Sequence, residues 1–361
     1  MTDDIENDPP LELIRSPRLF YERLLTDLAA AVSSIRVEMY IVEPGDVTDR
    51  LVDILVAKAV AGVSVGLIYD GFGSFHLTGA GVERLRRAGA SVREYHPINP
   101  VRREGPLSIR GLFRRDHRKL VVIDGRVYYV GGMNIGERFA DWEDLMGRGE
   151  GRPVEELAAS FDQALAAQAP IPGEKLARLR RRRIEFLDSR PKLGAYPIKR
   201  LYLRMIKKAR RRVWIAQAYF LPRHRLLKAL SKAAQRGVDV RIVVPDRSDV
   251  MVADLAAWPA ITRLVKKGIP VARFGEGMLH TKMAIIDDTL VFGAANLDSM
   301  SLYWNRELAL MVRLPDTVLE AEAIFADYER RARPVTRATI RARPLWSRVV
   351  GRLLRPFHWI L

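Results

Sequence analysis

The chain alternates two hydrophobic spacings. LLTDLAAAVSS (24–34) and YLRMIKKARRR (202–212) return apolar residues every three or four positions, the mark of an amphipathic helix. VSVGLIY (63–69) and VDVRIVV (238–244) are short β-branched runs of the kind that form buried strands. Each half of the chain reads helix, strand, helix, strand, short helix, strand. Strands alternating with helices predict an α/β architecture.

The pattern occurs twice. IRVEMYIVEP (35–44) is echoed by VWIAQAYFLP (213–222), AGVSVGLIYD (61–70) by RGVDVRIVVPD (236–246), and RRAGASVREY (86–95) by VKKGIPVARF (265–274). A linker is expected in the turn-rich DSRPKLGAYP (188–197). The predicted domains are therefore 1–190 and 191–333, followed by a basic tail, 334–361. The halves differ in one insertion: Gly89 to His117 spans 28 residues, but Gly268 to His280 only 12. The extra residues fall in HPINPVRREGPLSIRGLFRRD (96–116), with Arg102, Arg103, Arg110, Arg114 and Arg115. This loop is expected either to gather anionic substrate or to be a solvated surface.

Composition narrows the partners. With no cysteine, a disulfide scaffold and a cysteine-ligated metal site are excluded. The acidic start, MTDDIENDPP, is no signal peptide, and no apolar run is long enough to predict a membrane span. The net charge of +17 points to nucleic acid or an anionic membrane. From Arg330 to Leu361 there are nine arginines and no acid. As a helix, LWSRVVGRLLRPFHWIL (345–361) would set Arg348, Arg352 and Arg355 on one face and apolar residues on the other. That suits a membrane-interface helix, or else a helix docked on the protein's own core with its arginines solvated. Nothing in the sequence specifies an oligomeric state.

The candidate chemistry lies in DHRKLVVIDG (116–125) and its repeat in LHTKMAIIDD (279–288), which write H-x-K-x-x-x-x-D twice, 163 residues apart. The motif residues are His117, Lys119, Asp124, His280, Lys282 and Asp287. Read as a strand, the first copy puts His117 and Lys119 on one face, because side chains alternate. Asp124 has the opposite parity and lies about 16 Å along the strand from Lys119. Its expected job is to hold the turn or to pair with a charge elsewhere. A second strand follows each copy, with a small pair (Gly131-Gly132, Gly293-Ala294) expected to let backbone approach a ligand. Asn134 and Asn296 come two residues later.

Two histidines, two lysines and two asparagines match the needs of phosphoryl transfer. Lysine and asparagine stabilise the non-bridging oxygens, one histidine attacks phosphorus, and the other protonates the leaving oxygen. Such histidines need carboxylates to fix tautomer and orientation. Asp144 lies 27 residues after His117, and Glu307 lies 27 after His280, so these two acids are the candidate orienters. His76, His96, His224 and His358 lack this context and read as structural or surface residues.

At these residues the chain resembles the phospholipase D superfamily, from about Leu11 to Arg333. YDGFGS (69–74), QAYFLPRHRLLKAL (217–230), the two motif segments and the basic tail are similar to bacterial cardiolipin synthases, B-type, without N-terminal membrane spans. The resemblance implies two pseudo-two-fold α/β/α sandwich halves sharing one active site. It implies phosphatidyl transfer between two phosphatidylglycerol molecules through a phosphohistidine, with His117 as nucleophile and His280 as acid and base. No metal or organic cofactor is implied. Where many relatives have Gly-Ser before the motif asparagine, this chain lacks the hydroxyl in both halves. Ser301 matches a family serine and is expected to compensate at the phosphate. The implied location is the cytoplasmic face of the bacterial membrane, held peripherally by the tail. A lipid hydrolase is the alternative. No nucleic acid is expected, because superfamily nucleases carry one motif and dimerise.

Overall fold

The computed structural model describes residues 10–75, 77, 79–97, 114–151, 153–166, 183–190, 194 and 196–354. Its strands form two mixed sheets. The first contains β1 (Glu12–Ile14), β2 (Ser34–Met39), β3 (Ser64–Asp70), β4 (Ser91–Tyr95), β5 (Lys119–Ile123), β6 (Val127–Gly131) and β7 (Met146–Glu150), in the order β1-β7-β6-β5-β2-β3-β4. The second contains β8 (Ile184–Ser189), β9 (Arg212–Gln217), β10 (Asp239–Pro245), β11 (Val271–Phe274), β12 (Lys282–Ile286), β13 (Thr289–Gly293), β14 (Glu307–Val312) and β15 (Ala332–Pro334). Its order, β15-β11-β10-β9-β12-β13-β14-β8, repeats the first from the opposite edge, with β15 added. The sequence repeat is thus a repeat of sheet topology. One boundary differs from expectation. A division after residue 190 assigns β8 to the first half, but β8 pairs antiparallel with β14 along its whole length.

The buried runs explain the layers. Helices α1 (Pro17–Ala30), α2 (Asp46–Val60) and α3 (Gly79–Arg87) pack Phe20, Leu24, Leu51 and Leu85 onto the outer face of the first sheet. Helix α4 (Pro153–Leu165) follows β7. Helices α5 (Pro197–Lys208), α6 (His224–Gln235) and α7 (Met251–Lys266) cover the outer face of the second sheet with Tyr202, Leu230 and Ile261. Between the sheets a third core joins Leu120, Val122 and Val130 to Met283, Ile285, Phe292 and Leu310. Each fully buried side chain of this size contributes about 1.5–3 kcal/mol. The two halves therefore share a core and cannot separate cheaply.

After the short α8 (Ser299–Tyr303) and the long α9 (Pro315–Arg331), the tail forms α10 (Arg337–Ala342) and α11 (Leu345–Leu353). Helix α11 docks on α7 through its small residues. A side chain at Gly351 would stand 2.7 Å from the Leu255 carbonyl oxygen, and Ser347 is buried. Docking thus uses the small face and leaves Leu345, Trp346, Val349 and Leu353 exposed. Arg348 is half-buried and donates to the Arg343 carbonyl, so it is not the solvated arginine a docked tail was expected to present. Arg102, Arg103 and Arg110 of the insertion, Arg355, His76 and His358 lie outside the described residues.

Candidate active site

The two histidines stand just before β5 and β12, and Lys119 and Lys282 are the first residues of those strands. Both strands are central. β5 pairs with β2 and β6, and β12 with β9 and β13. Each histidine is fixed by a short parallel bridge to the other half. The His117 N–H donates to the Arg306 carbonyl and the Arg306 N–H to the Arg115 carbonyl. In the matching place the His280 N–H donates to the Glu143 carbonyl, and the Glu143 N–H to the Met278 carbonyl.

These bridges carry the candidate orienters across the boundary. Nδ1 of His117 lies 3.1 Å from Oε2 of Glu307, and Nδ1 of His280 lies 2.5 Å from Oδ2 of Asp144. Each carboxylate serves the histidine of the opposite half. A proton on Nδ1 toward the carboxylate leaves the Nε2 lone pair to react, and Lys282 Nζ also stands 2.7 Å from Nδ1 of His280. Lys119 donates to the His117 carbonyl at 2.9 Å, and Lys282 donates to the His280 carbonyl. Lys282 also stands 3.9 Å from Asp144.

All six groups are buried, and their charges act strongly on one another. Burial, and then the Lys119 and Lys282 ammoniums, push His117 well below its ordinary value. His280 is also lowered by burial and Lys282, but Asp144 pulls it back up. Asp144 stays below the usual carboxylate range: burial raises it, and Lys282 and His280 outweigh that. Burial drives Glu307 well up. Burial, then Lys282, brings Lys119 down to about 7, and burial brings Lys282 down to about 8. The site therefore has an excess of cationic groups, and a bound anion relieves it.

Asn134 and Asn296 are both buried, and the side-chain oxygen of each has no hydrogen-bond partner. The repeat thus places a matched pair of carboxamides, one on each half, and only their N–H2 groups could donate to an anion. The small residues before them also have a packing reason. A side chain at Gly132 would lie 2.3 Å from Oδ1 of Asp144, and one at Gly293 would lie 2.4 Å from the Leu308 carbonyl oxygen. They make room for the orienting carboxylate and the neighbouring strand. The Ser301 hydroxyl hydrogen-bonds Glu307 and pulls its carboxyl down against burial, so it supports the orienter.

Asp124 and Asp287 lie at the far ends of their strands, in left-handed backbone (φ 54° and 51°). The Asp124 carboxylate accepts the N–H groups of Val32, Ser33 and Ser34 at 2.7–2.9 Å. Asp287 accepts those of Arg210, Arg211 and Arg212. Each aspartate ties the hairpin to the start of the neighbouring antiparallel strand, β2 or β9, and neither reaches a histidine.

Several site residues carried no signal in the spacing. The Tyr40 ring is edge-on to His117 at 4.6 Å and lies under the Lys119 ammonium at 4.9 Å. Trp142 and Tyr219 flank His280 at 5.0 and 6.3 Å. The YDGFGS phrase has a local reason: Asp70 accepts the N–H groups of Phe72, Gly73 and Asp116, fixing the residue before His117. Arg115 is buried 3.7 Å from Asp70 and over the Phe72 ring, so it is a structural residue and gathers no substrate. Below the first histidine, Arg306 pairs with Asp116 at 2.8 Å and Glu38 at 3.5 Å, and Arg118 pairs with Glu38 at 3.3 Å.

Two histidine–lysine pairs on dyad-related sheets, with exchanged carboxylates, define a phospholipase D-like enzyme. The family model described as "Cardiolipin synthase, PLD-like domain" matches residues 24–163 and 202–328. A cardiolipin synthase of Geobacillus sp. (strain WCH70) is 33% identical over 355 residues, 93% of this chain and 70% of its own length. Cardiolipin synthase A of Pectobacterium carotovorum subsp. carotovorum (strain PC1) is 30% identical over 357 residues, 94% of this chain and 73% of its own. The crystal structure of phosphatidylserine synthase from Haemophilus influenzae Rd KW20 shares the fold, with TM-score 0.69 and 15% identity over 99% of this chain and 98% of that one. The chain belongs to the PLD-like cardiolipin synthase family, phosphatidyltransferases that act on phospholipid. Among the described residues no helix is long and apolar enough to cross a membrane.

Proposed function

We propose that the chain transfers a phosphatidyl group from one phosphatidylglycerol to the glycerol hydroxyl of another, giving cardiolipin and free glycerol. Nε2 of His117 attacks phosphorus, and the P–O bond to glycerol breaks as His280 protonates the departing oxygen. His280 then takes the proton of the incoming glycerol hydroxyl. That oxygen displaces His117, the P–N bond breaks, and Nε2 regains its lone pair. Lys119, Lys282, Asn134 and Asn296 hold the non-bridging oxygens.

The unequal surroundings of the two histidines carry this assignment. His117 is held neutral by burial and two lysines, as a nucleophile must be. His280 is also lowered by burial and Lys282, but it faces Asp144, a carboxylate kept ionised, which opposes that and favours the imidazolium an acid needs. We place the enzyme peripherally on the cytoplasmic face of the bacterial membrane. The acid-free basic tail fits anionic lipid there.

Purified enzyme incubated with phosphatidylglycerol vesicles is expected to release glycerol and cardiolipin in equal amounts. Acid-quenched protein should carry a phosphatidyl adduct on the His117 peptide. Phosphatidic acid as sole product would establish a hydrolase, and an adduct on His280 would reverse the roles. Protease treatment of spheroplasts should leave the chain intact if it lies on the inner face.

A further inference from the structure

The C-terminal helix reaches the wall of the active site. It runs antiparallel to α7: Arg343 lies over the Trp258 ring at 4.1 Å, Gly351 packs on Leu255, and Leu354 packs with Leu221, Ala253, Ala256 and Tyr219. Tyr219 is edge-on to His280, and its hydroxyl donates to Asp249 at 2.5 Å. Asp249 begins the turn into α7, where Met251 is 71% exposed. The end of α11, the start of α7 and the second histidine thus meet at one tyrosine.

The outward side of this junction is apolar. Trp346 is 61% and Leu353 65% exposed, and Val349 lies between them on the same helix. The turn into α7 follows the C-terminal end of β10. In the other half Phe72, 58% exposed, follows the matching end of β3. The histidines stand at these same strand ends, because Lys119 pairs with Met39 at the end of β2 and Lys282 with Gln217 at the end of β9. Exposed apolar groups therefore stand at the strand ends of both halves, where the site lies. A cluster of this kind beside a site marks a docking surface.

We propose that Met251, Trp346, Val349 and Leu353 form an interfacial rim that seats the cleft on an anionic phospholipid surface, delivering headgroups beside His280. The identity of the lipid rests on the function proposed above. Charge selects the occupant. Arg333, Arg337 and Arg341, all exposed, lead into the rim, and no acid occurs from Arg330 onward. Arginine next to exposed tryptophan and leucine fits the headgroup layer of an anionic membrane. The tail is then part of the entrance to the site and not a separable tether.

The test uses the triple variant Met251→Glu/Trp346→Glu/Leu353→Glu, whose side chains are exposed and outside the catalytic groups. Two assays are run: co-sedimentation with phosphatidylglycerol vesicles, and turnover of a short-chain phosphatidylglycerol dispersed as monomers. Vesicle binding and vesicle turnover should each fall tenfold or more, with turnover of the dispersed lipid unchanged. Unchanged vesicle binding, or an equal loss on dispersed lipid, overturns the proposal. Loss of self-association with vesicle binding intact would instead make this face a contact between two copies, and also overturns it. If the wild-type chain binds vesicles through the rim but turns over neither lipid, the rim stands and the function falls.

Discussion

Glu307 lies 3.1 Å from Nδ1 of His117, although 190 residues separate them and they belong to opposite sheets. Asp144 and His280 make the reciprocal pair at 2.5 Å. Each half-site is completed by the other half, so neither sheet alone holds an oriented histidine. The exchange also divides the labour: Glu307 acts through the proposed nucleophile, Asp144 through the proposed acid.

That division predicts a separation by leaving group. A phosphatidyl ester of p-nitrophenol needs no proton on its departing oxygen. His280→Ala and Asp144→Asn should still release nitrophenol from it in a single burst, while losing about 10²–10⁴-fold on phosphatidylglycerol. His117→Ala and Glu307→Gln should lose both activities. Stopped-flow absorbance checks this, and a burst in His117→Ala would remove that histidine as nucleophile.

The lowered lysines predict a pH dependence of anion binding. Lys119 titrates at about 7 and Lys282 at about 8 in the empty site. A bound anion raises both, so binding takes up protons. Affinity for sulfate, which has no titrating proton in this range, should be full below pH 7 and fall as pH rises above it. The slope should approach about tenfold per pH unit for each lysine that must be recharged. Calorimetry in buffers of different ionisation enthalpy measures the uptake directly. The sign for folding is opposite. The unfolded chain holds more protons between pH 7 and the ordinary lysine value, so these lysines make stability rise with pH there.

Asp124 should behave as a structural residue. Burial raises its carboxyl, but three main-chain N–H groups and the Ser33 hydroxyl outweigh that and bring it to about 2. Asp124→Asn is expected to cost about 1–2 kcal/mol, the scale of charge-assisted hydrogen bonds reduced for solvent screening. The stabilisation is present above the unfolded value, near pH 4, and is lost as pH falls toward 2. Urea titration gives the cost. Activity per folded molecule should stay near wild type, and a hundredfold loss at full folding would show a chemical role.

The physical signals explain which features are legible in the sequence. The alternation of helices and strands and its duplication follow from repeated amphipathic and β-branched runs, and the histidine–lysine pairs from a repeated spacing with few other solutions. The two acids stand out by equal offsets. Their exchange does not, because equal offsets suit pairing within halves as well as across them. Tyr40, Trp142 and Tyr219 come to the site through tertiary folding alone. A basic residue such as Arg118 reads as surface, yet it is fully buried. Only the carboxylates around it, Glu38 at 3.3 Å and Asp188 at 3.5 Å, explain that position.

The last prediction concerns the bridges beneath the histidines, where the dyad breaks down. Arg306 and Glu143 hold corresponding places, each bonded through its main chain to the histidine strand of the other half. Their side chains differ in kind. Arg306 is sealed against Asp116 and Glu38, which lie at 2.8 and 3.5 Å and are almost wholly buried. Glu143 lies nearer the surface, between Arg15 and Arg331. Removing one partner of a buried ion cluster strands the others without compensation, whereas a part-buried pair that water still reaches loses less. Arg306→Met should therefore cost about 3–5 kcal/mol, and Glu143→Gln about 1 kcal/mol or less. Burial already holds Glu38 up at about 8 against the pull of Arg118 and Arg306, so without Arg306 it should keep its proton to higher pH. The penalty in Arg306→Met should then grow between pH 7 and pH 9, as the wild type ionises Glu38 beside Arg306 while the variant keeps it protonated. Parallel urea titrations at the two pH values test this, and equal penalties for the two variants would show that the bridges act through their main chains alone.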